Sequence, residues 1–403
     1  MLLYEQALDK IKNVLKVLPK ETEKVELINS IGRILAEDII ADINLPPFNN
    51  SAMDGYAIKF NPLIKKWNVI GEMPAGANNY FDLNDDSAVS VMTGAKLPSG
   101  ADTVIPIEKI IAENNEIKIS NDTKISQGMN TRLIGEDLLL GSVAIKKGTL
   151  IKSNNISIAA ACGKSNLKVY RRLNIGVLTT GNELVPIDEK PNDAQIRSSN
   201  LASFIASIKE MNMNPIDFGF CKDIKEEIKT NIYKAFNSDI DLLVTTGSVS
   251  VGKYDFIQEI LKELGAEIIF WKVKIKPGKP FLLSTYRKED KIIPIFSLPG
   301  NPLSSYVNFR LFVKNPLLQY FGVESTKIFQ AKLKSRIKKS DERMHFILGT
   351  LSFDSFTKHY IVESAGSQSS GTMSTLSNAD CMFVFPSELT EMNEGELVEC
   401  LMI

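Results

Sequence analysis

The feature that most constrains the fold is a regular alternation of apolar runs and amphipathic helices between residues 173 and 320. Apolar runs typical of buried strands lie at residues 175–179, 215–219, 242–245 and 292–296. Each run precedes a segment with apolar residues at helical spacing, as at 201–211 and 303–318. This alternation predicts a parallel sheet with right-handed crossovers. Ligands of such sheets bind beyond the carboxyl ends of the strands, so the loops after these runs are where a site is expected.

The segments on either side of this region have different patterns. Residues 3–18 show helical spacing, and a second helix is predicted over 25–37. Short β-like runs between turn residues predict a small, mainly β lobe near the N-terminus and a compact β barrel or sandwich at the C-terminus. We therefore predict an α/β multidomain protein. Its parts are a helical or mixed linker domain (1–47 with 141–172), a mainly β lobe (48–140), a central parallel-sheet α/β/α domain (173–325) and a C-terminal β barrel-like domain (326–403).

Composition narrows the class of protein. The 403 residues are 44% hydrophobic and 24% charged, with a formal net charge of −1. That balance is ordinary for a soluble globular protein and gives no sign of nucleic-acid binding through bulk electrostatics. No apolar run approaches the ~20 residues that a membrane helix needs. The first ten residues contain acids too early for a secretory leader, so we expect a cytoplasmic protein without membrane contact.

Histidine and cysteine are too sparse for several kinds of site. The only histidines are His345 and His359, and the four cysteines lie far apart with no Cys-x-x-Cys pair. The sequence therefore offers few ligands for a zinc site and few histidines for a catalytic triad. An enzyme of this composition would use carboxylates, lysines, hydroxyls and backbone groups, and its metal would be an oxygen-preferring ion such as Mg²⁺.

Three small-residue turns follow apolar runs within about sixty residues of each other. The first contains Gly247, Ser248 and Ser250, the second is 276–280, and the third is 298–302 with Pro299, Gly300 and Asn301. Such loops offer backbone N–H groups and hydroxyls to an anion. One loop alone is equally typical of an ordinary strand-to-helix turn, but three in succession favour an anion site.

Charged residues cluster in the same region. Lys272, Lys276 and Lys279 alternate or nearly so, so at least two should face one side, and together they call for an anion. Glu183 stands at a strand end, where an unpaired carboxylate is often functional. Asp223 and Asp255 precede helices, where an acid is also favoured as a cap or by the helix dipole. Pairs such as Lys338–Lys339 are typical of solvated surface.

The lobe contributes a second group of candidates. Asp54 precedes a glycine, and the segments 92–95 and 135–137 have the same small, polar character. Each segment taken alone is typical of an Asx-turn. Taken together, the three segments favour an approach to a ligand or metal.

Assembled in order, these segments resemble the molybdopterin molybdenumtransferase family, which includes MoeA and the E domain of gephyrin. The matching segments are 46–57, 92–95 with 100–104, 135–137, 180–184, 249–252 with 254–255, 275–280 and 298–302. Seven ordered segments are far more specific than one glycine loop. The resemblance implies a central domain of the molybdopterin-binding type. It also implies an enzyme that inserts molybdate into adenylylated molybdopterin, releasing AMP and molybdenum cofactor.

The family further implies a Mg²⁺-dependent homodimer whose site lies between the parallel domain of one subunit and the β lobe of the other, with contacts to other proteins of cofactor biosynthesis. On the lobe side the matching residues near molybdate are Asp54, Thr93, Arg132 and Asp137. The matching acids around the pterin and adenylate, which are also the metal candidates, are Glu183, Asp223 and Asp255. The substrate-binding residues implied are Gly181, Gly247, Ser248, Ser250, Lys272, Lys276, Lys279, Pro299, Gly300 and Asn301.

The chain departs from the family pattern at three single positions and in the run 368–371, which varies the family's Gln-Gly-Ser pattern. Ser248 stands where glycine is usual, Asn182 where aspartate is usual, and Ser198 where an acid is common. Other functions compete with the transferase: a related molybdopterin adenylyltransferase, a non-catalytic scaffold, and an unrelated nucleotide or sugar-phosphate enzyme on a similar sheet. The presence of the lobe, the tail and the full set of acids and lysines favours the transferase.

Overall fold

The computed structural model describes residues 1–120, 124–249, 256–324 and 328–403. The elements of the first 170 residues are, in order, α1 (Tyr4–Leu15), β1 (Thr22–Glu26), β2 (Ile39–Ile40), β3 (Asn50–Ser51), β4 (Gly55–Ile58), β5 (Lys66–Met73), β6 (Ser87–Val91), β7 (Thr103–Pro106), β8 (Ile110–Glu113), β9 (Glu116–Ile119), β10 (Thr131–Arg132), β11 (Val143–Ile145), α2 (Ser153–Ala161) and β12 (Asn166–Tyr170). Among the described residues, none of the helices has both the length and the apolar character to span a bilayer.

The first helix forms as predicted, but the second does not. Helix α1 buries Ala7, Ile11 and Leu15. Residues 25–37 instead contain the end of strand β1, a 3₁₀ turn (Leu27–Ser30) and irregular chain. The reason is pairing with partners distant in sequence: residues 25 and 26 belong to the antiparallel ladder of β1 with β12, and Ile34 and Leu35 form bridges to Leu150 and Val169. Tertiary pairing therefore overrides the local helical spacing.

The mainly β lobe is a sheet with strand order β7-β4-β6-β5-β9-β8. Its pairs are antiparallel except for β5 with β6. The two-residue strands β3 and β10 pair with each other beside this sheet, with Arg132 opposite Asn50. This small ladder holds the candidate Arg132 beside the segment that immediately precedes Asp54.

The central elements are β13 (Asn174–Thr180), β14 (Leu184–Val185), β15 (Ile196–Arg197), α3 (Ser199–Glu210), β16 (Asn214–Cys221), α4 (Lys225–Phe236), β17 (Leu242–Thr246), α5 (Ile257–Glu263), β18 (Glu267–Trp271), β19 (Ile275–Lys276), β20 (Leu282–Lys288), β21 (Lys291–Leu298), α6 (Pro302–Asn308) and α7 (Asn315–Tyr320), with a π-helical turn (Phe309–Lys314) between the last two helices. The main sheet has the order β16-β13-β17-β21-β20-β18. Its first four strands are parallel, as predicted. Strand β20 runs antiparallel to both of its neighbours, β21 and β18, and a hairpin connects it to β21.

Both faces of this sheet are buried. Along β13, Val177 belongs to one apolar core and Leu178 to another, and along β17 Val244 and Leu243 divide in the same way. Successive strand residues point to opposite faces, so the two cores lie on either side of the sheet. The α/β/α architecture is therefore confirmed.

The C-terminal elements are β22 (Ile328–Leu333), β23 (Ile337–Lys338), β24 (Met344–Asp354), β25 (His359–Ser364), α8 (Ser374–Asn378), β26 (Cys381–Phe385), β27 (Glu391–Met392) and β28 (Leu397–Met402). The ring β24-β25-β22-β28-β26 closes through pairing of β26 with β24, so this part is a barrel. Strand β19 pairs in parallel with β24 and sets Lys276 opposite His345. The fold class is thus confirmed, whereas the exact domain boundaries stay predictions.

Candidate active site

A cleft of about 1350 Å³ lies between the carboxyl ends of the parallel strands and the C-terminal barrel. Loops that follow β13, β16, β17 and β21 line one wall, and they meet as the α/β rule predicts. The barrel supplies the other wall. Predicted residues that line this cleft are Glu183, Asp223, Gly247, Ser248, Lys276, Lys279, Pro299, Gly300 and Asn301.

The loop after β17 begins with a glycine that no other residue could replace without movement. Gly247 has φ +99°, and a Cβ there would lie 2.3 Å from the carbonyl oxygen of Thr180. The next residue, Ser248, also has a positive φ, +48°. Its hydroxyl lies 2.5 Å from Oδ1 of Asp223 and 2.9 Å from Oγ1 of Thr180. The candidates Ser250 and Asp255 lie outside the described residues.

Two acids face the cleft from neighbouring strand ends. Glu183 follows β13, and its carboxylate folds over Gly181, where a Cβ would lie 2.8 Å from Oε2 of Glu183. Asp223 follows β16, and its backbone N–H donates to Oδ1 of Asn182 at 3.0 Å. Gly181 therefore leaves space for the Glu183 carboxylate. The sequence motif alone did not predict this role.

The turn after β19 presents two exposed lysines to the cleft. Lys276 and Lys279 flank Gly278, which has φ +93°. Behind the turn, the buried Asn308 of α6 donates from Nδ2 to the carbonyl oxygen of Gly278 at 2.9 Å. Asn308 is a supporting residue that the sequence did not single out.

Lys272 does not join the other two lysines. It is absent from the described lining of the cleft, and its amine lies 3.6 Å from the ring centroid of Trp271. Its backbone has φ +70° and exchanges hydrogen bonds with Leu2 and Phe281. The expectation that at least two of the three lysines face one side holds for Lys276 and Lys279, but the three cations do not converge on one place.

The sequence analysis did not predict that residues of the C-terminal barrel line the cleft. Lys339 and Arg343 line the cleft with His345, although the pair Lys338–Lys339 had suggested ordinary solvated surface. The Lys339 amine donates to the carbonyl oxygens of Arg343 and Pro386 at 2.6 and 2.5 Å. The nearest sequence signal was the run 368–371, which varies a pattern of the family. Ser370 of that run receives a hydrogen bond from Nδ2 of Asn301 at 3.0 Å, which ties the two walls together.

Asp341 is the counter-ion of the barrel wall. Its carboxylate accepts from Nη2 of Arg343 at 2.8 Å and lies 3.0 Å from Nε2 of His345 and 3.9 Å from the Lys276 amine. The hydrogen bonds from Arg343, followed by the one from His345, hold the pKa of Asp341 well below its usual range. Burial lowers the pKa of His345 and outweighs the opposing effect of Asp341. The wall thus keeps one anion among several cations.

The four lobe candidates lie outside the described lining of this cleft, and two of them, Asp54 and Thr93, contact each other. Asp54 accepts from the backbone N–H of Thr93 at 2.6 Å and from its hydroxyl at 2.8 Å, and these bonds lower the pKa of Asp54. Arg132 belongs to β10, which pairs with β3 just before Asp54. Asp137 is anchored by its N–H, which donates to the carbonyl oxygen of Leu45 at 3.0 Å. None of these four appears in the described lining of the cleft.

The surface around Asp54 is unusually apolar. Met53, Met92, Leu133 and Ile134 are 41%, 46%, 57% and 50% exposed. Large exposed apolar side chains in one area are typical of an interaction surface. The lobe candidates therefore lie on a face suited to contact another molecule.

The donors of the cleft suit an oxygen-preferring cation. Glu183 and Asp223 offer carboxylates, and Asn301 and Ser248 offer an amide and a hydroxyl. Mg²⁺ usually takes one or two carboxylates with water and substrate phosphates, so this set fits it. The described residues contain no group of three or more acidic, histidine or cysteine ligands, and the third metal candidate, Asp255, lies outside them.

Known proteins match the chain over nearly its whole length. Family models match residues 2–163 (MoeA N-terminal region, domain I and II), 176–319 (probable molybdopterin binding domain) and 330–403 (MoeA C-terminal region, domain IV). The molybdopterin molybdenumtransferase of Haemophilus influenzae is 34% identical, with 99% of this chain and 98% of that protein covered. The chain belongs to the MoeA family. The Bacillus subtilis MoeA-family relative of the same name is 31% identical, with coverages of 95% and 90%.

Solved MoeA structures agree with this assignment. The molybdopterin biosynthesis MoeA protein of Pyrococcus horikoshii OT3 superimposes with a TM-score of 0.82 at 27% identity, and both chains are fully covered. A second structure of MoeA from the same species has a TM-score of 0.77 at 29% identity. The MoeA fold thus extends over the lobe, the central domain and the barrel.

Proposed function

We propose that this protein is a molybdopterin molybdenumtransferase that inserts molybdate into adenylylated molybdopterin and releases AMP and molybdenum cofactor. The observation that carries the proposal is the cleft itself. It places a glycine-hydroxyl loop and two acids at the carboxyl ends of parallel strands, and two lysines of the turn after β19 line the same cleft. Full-length similarity to relatives that bear this name supports the choice of substrate. We expect it to act in the cytoplasm, alongside other proteins of cofactor biosynthesis and without nucleic acid or membrane.

The cleft residues divide the work by charge. Lys276 and Lys279 are exposed at the cleft, and Lys279 forms no ion pair with a carboxylate that the structure describes. Lys279 can neutralise phosphate or molybdate oxygens directly, and Lys276 can do so in competition with Asp341, 3.9 Å from its amine. The glycine-hydroxyl loop can offer backbone N–H groups to one of those anions. Arg343 adds a guanidinium from the barrel side, suited to two oxygens of one anion.

The acids would serve the diphosphate. Cleavage by water breaks the bond between the adenylyl phosphorus and the bridging oxygen, so AMP leaves and the pterin phosphate remains. Glu183 and Asp223 would hold Mg²⁺ together with the phosphate oxygens, and the ion when bound neutralises the diphosphate. Asp54, Thr93, Arg132 and Asp137 would face molybdate.

We also propose a homodimer in which each lobe completes the partner's cleft. Within one chain the lobe candidates do not line the cleft, yet they lie on a surface rich in exposed apolar side chains. Burial of that surface against a second copy would bring Asp54 to the other subunit's lysines. A two-fold dimer would both bury the apolar surface of each lobe and bring the lobe candidates to the partner's cleft.

A turnover assay tests the chemistry. Purified protein is mixed with adenylylated molybdopterin, molybdate and Mg²⁺, and both AMP and active cofactor are measured. The transferase predicts both products. An adenylyltransferase would not consume this substrate in the forward direction, a scaffold would yield neither product, and an unrelated nucleotide enzyme would yield no active cofactor.

Mixing two inactive variants tests the shared site. Asp54→Asn and Glu183→Gln proteins are co-folded, so that mixed dimers form. If each site combines one lobe with the partner's cleft, a mixed dimer has one fully intact site, and about a quarter of wild-type activity should return. If lobe and cleft act within one chain, every site carries a substitution and the mixture stays inactive. The second outcome would refute the shared site.

A further inference from the structure

Asp223 is held by two neighbours, Ser248 at its carboxylate and Asn182 at its backbone N–H. Ser248 Oγ lies 2.5 Å from Oδ1 of Asp223, and Asn182 Oδ1 accepts from the Asp223 backbone N–H at 3.0 Å. Thr180 Oγ1 lies 2.9 Å from Ser248 Oγ. The three hydroxyl and carboxylate groups therefore form a continuous chain at the edge of the cleft.

The direction of this chain follows from the donors available. An ionised carboxylate only accepts hydrogen bonds, so Ser248 must donate its single proton to Asp223. Ser248 can then only accept from Thr180. A hydroxyl whose proton is committed to Asp223 has none left for a substrate oxyanion.

The backbone supports the same interpretation. Ser248 has φ +48°, in the left-handed region that serine rarely adopts. Glycine would adopt this φ without strain, so the hydroxyl is the feature that serine adds here. Asn182 holds the Asp223 backbone through a neutral amide, whereas an aspartate there would place a second negative charge beside Asp223.

We propose that Ser248 and Asn182 are positioning residues for Asp223, Ser248 through the carboxylate and Asn182 through the backbone N–H. Ser248 then acts through Asp223 and does not bind the substrate anion itself. The proposal rests on the proposed function and deepens it, since it assigns the role of the loop after β17 more finely. Anion binding at this loop then depends on backbone N–H groups and on Lys276 and Lys279.

Ser248→Gly is the matched test, because it removes the hydroxyl while relieving the unfavourable φ. We expect its thermal unfolding temperature to be unchanged or higher. The kcat of AMP release should fall by about tenfold while KM stays within about twofold, as for a group that acts only in the transition state. In an Asp223→Asn background the same change should have no further effect, because the group that Ser248 positions is already altered.

Two readouts need no turnover. Titration calorimetry with AMP should give a Kd within about twofold of wild type for Ser248→Gly, and its crystal structure should show the Asp223 carboxylate in a different or second rotamer. AMP binding weakened by about tenfold would make Ser248 a direct anion ligand and overturn the proposal. An Asp223 carboxylate that keeps its wild-type rotamer in the Ser248→Gly crystal structure would also overturn the proposal. Absence of AMP release by wild-type protein would instead count against the proposed function, and the calorimetry and crystal structure would still decide this inference.

Discussion

The turn that carries Lys276 and Lys279 should be intolerant of a side chain at Gly278. Its φ of +93° is unfavourable for alanine. A Cβ there would also lie 2.1 Å from Oδ1 and 2.7 Å from Cγ of Asn308. Because Asn308 is buried and donates to the Gly278 carbonyl oxygen, its displacement would also break that hydrogen bond.

The magnitude follows from three costs. The left-handed conformation costs an alanine about 1 kcal/mol. Overpacking against a buried side chain costs about 2 kcal/mol. Loss of a buried hydrogen bond costs about 1 kcal/mol. Gly278→Ala should therefore lower the free energy of unfolding of the central domain by about 4 kcal/mol, which corresponds to a fall of roughly 10 °C in Tm.

Gly265→Ala is the matched control. Gly265 lies in the same domain with φ +84°, and a Cβ there has no neighbour within 4 Å, so only the conformational cost of about 1 kcal/mol remains. Differential scanning calorimetry and guanidinium unfolding would compare both variants with Asn308→Ala and with the double variant Gly278→Ala/Asn308→Ala. The double variant should lose less than the two single changes together, because truncation of Asn308 removes the clash. Equal losses for Gly278→Ala and Gly265→Ala would show that Asn308 does not crowd Gly278.

Three further predictions concern charge. Asp54→Asn should abolish AMP release while leaving the thermal unfolding temperature unchanged, because Asp54 is exposed and its carboxylate bonds to Thr93 through one oxygen that asparagine retains; a matching loss of stability would contradict a role in chemistry. Burial would raise the pKa of Asp241, but bonds from Arg171 and from backbone N–H outweigh it and lower that pKa. Its stabilisation should thus be present above the ordinary aspartate pKa and be lost as pH falls through the lowered value, and unfolding measured down to about pH 2 should be less pH-dependent in Asp241→Asn. The lowered pKa of His345 means that unfolded chains bind its proton first, so stability should fall as pH drops below about 6.5, and His345→Gln should flatten that part of the curve.

The central domain could be predicted from sequence because its signals are local. Runs such as 175–179 and 242–245 are apolar enough to be buried on both faces, and each is followed by a helix with one apolar side. From these facts alone, the rule that ligands bind beyond the carboxyl ends of parallel strands located one wall of the cleft. The residues at those ends, including Glu183 and Gly247, are found there.

The predictions that were wrong concern segments whose conformation depends on partners distant in sequence. Residues 25–37 have apolar spacing compatible with a helix, but β12, about 140 residues away, supplies the hydrogen bonds of a strand. The spacing of Lys272 and Lys276 predicts that both face one side of a strand, which has a period of two. The φ of +70° at Lys272 turns the chain between them and breaks that period.

The barrel wall shows why a site search confined to one domain recovers only part of the cleft. In sequence, Lys339 and Arg343 are ordinary surface cations between turns. Pairing of β19 with β24 brings Arg343 and His345 beside Lys276, across about seventy residues of intervening chain. The cationic side chains of Arg343 and Lys276 repel each other, and Asp341 offsets that repulsion, since its carboxylate accepts from Arg343 and lies 3.9 Å from the Lys276 amine. An arriving anion must therefore compete with Asp341 for these cations, so the wall should favour ligands of more than one negative charge, such as molybdate or a diphosphate, over singly charged ones.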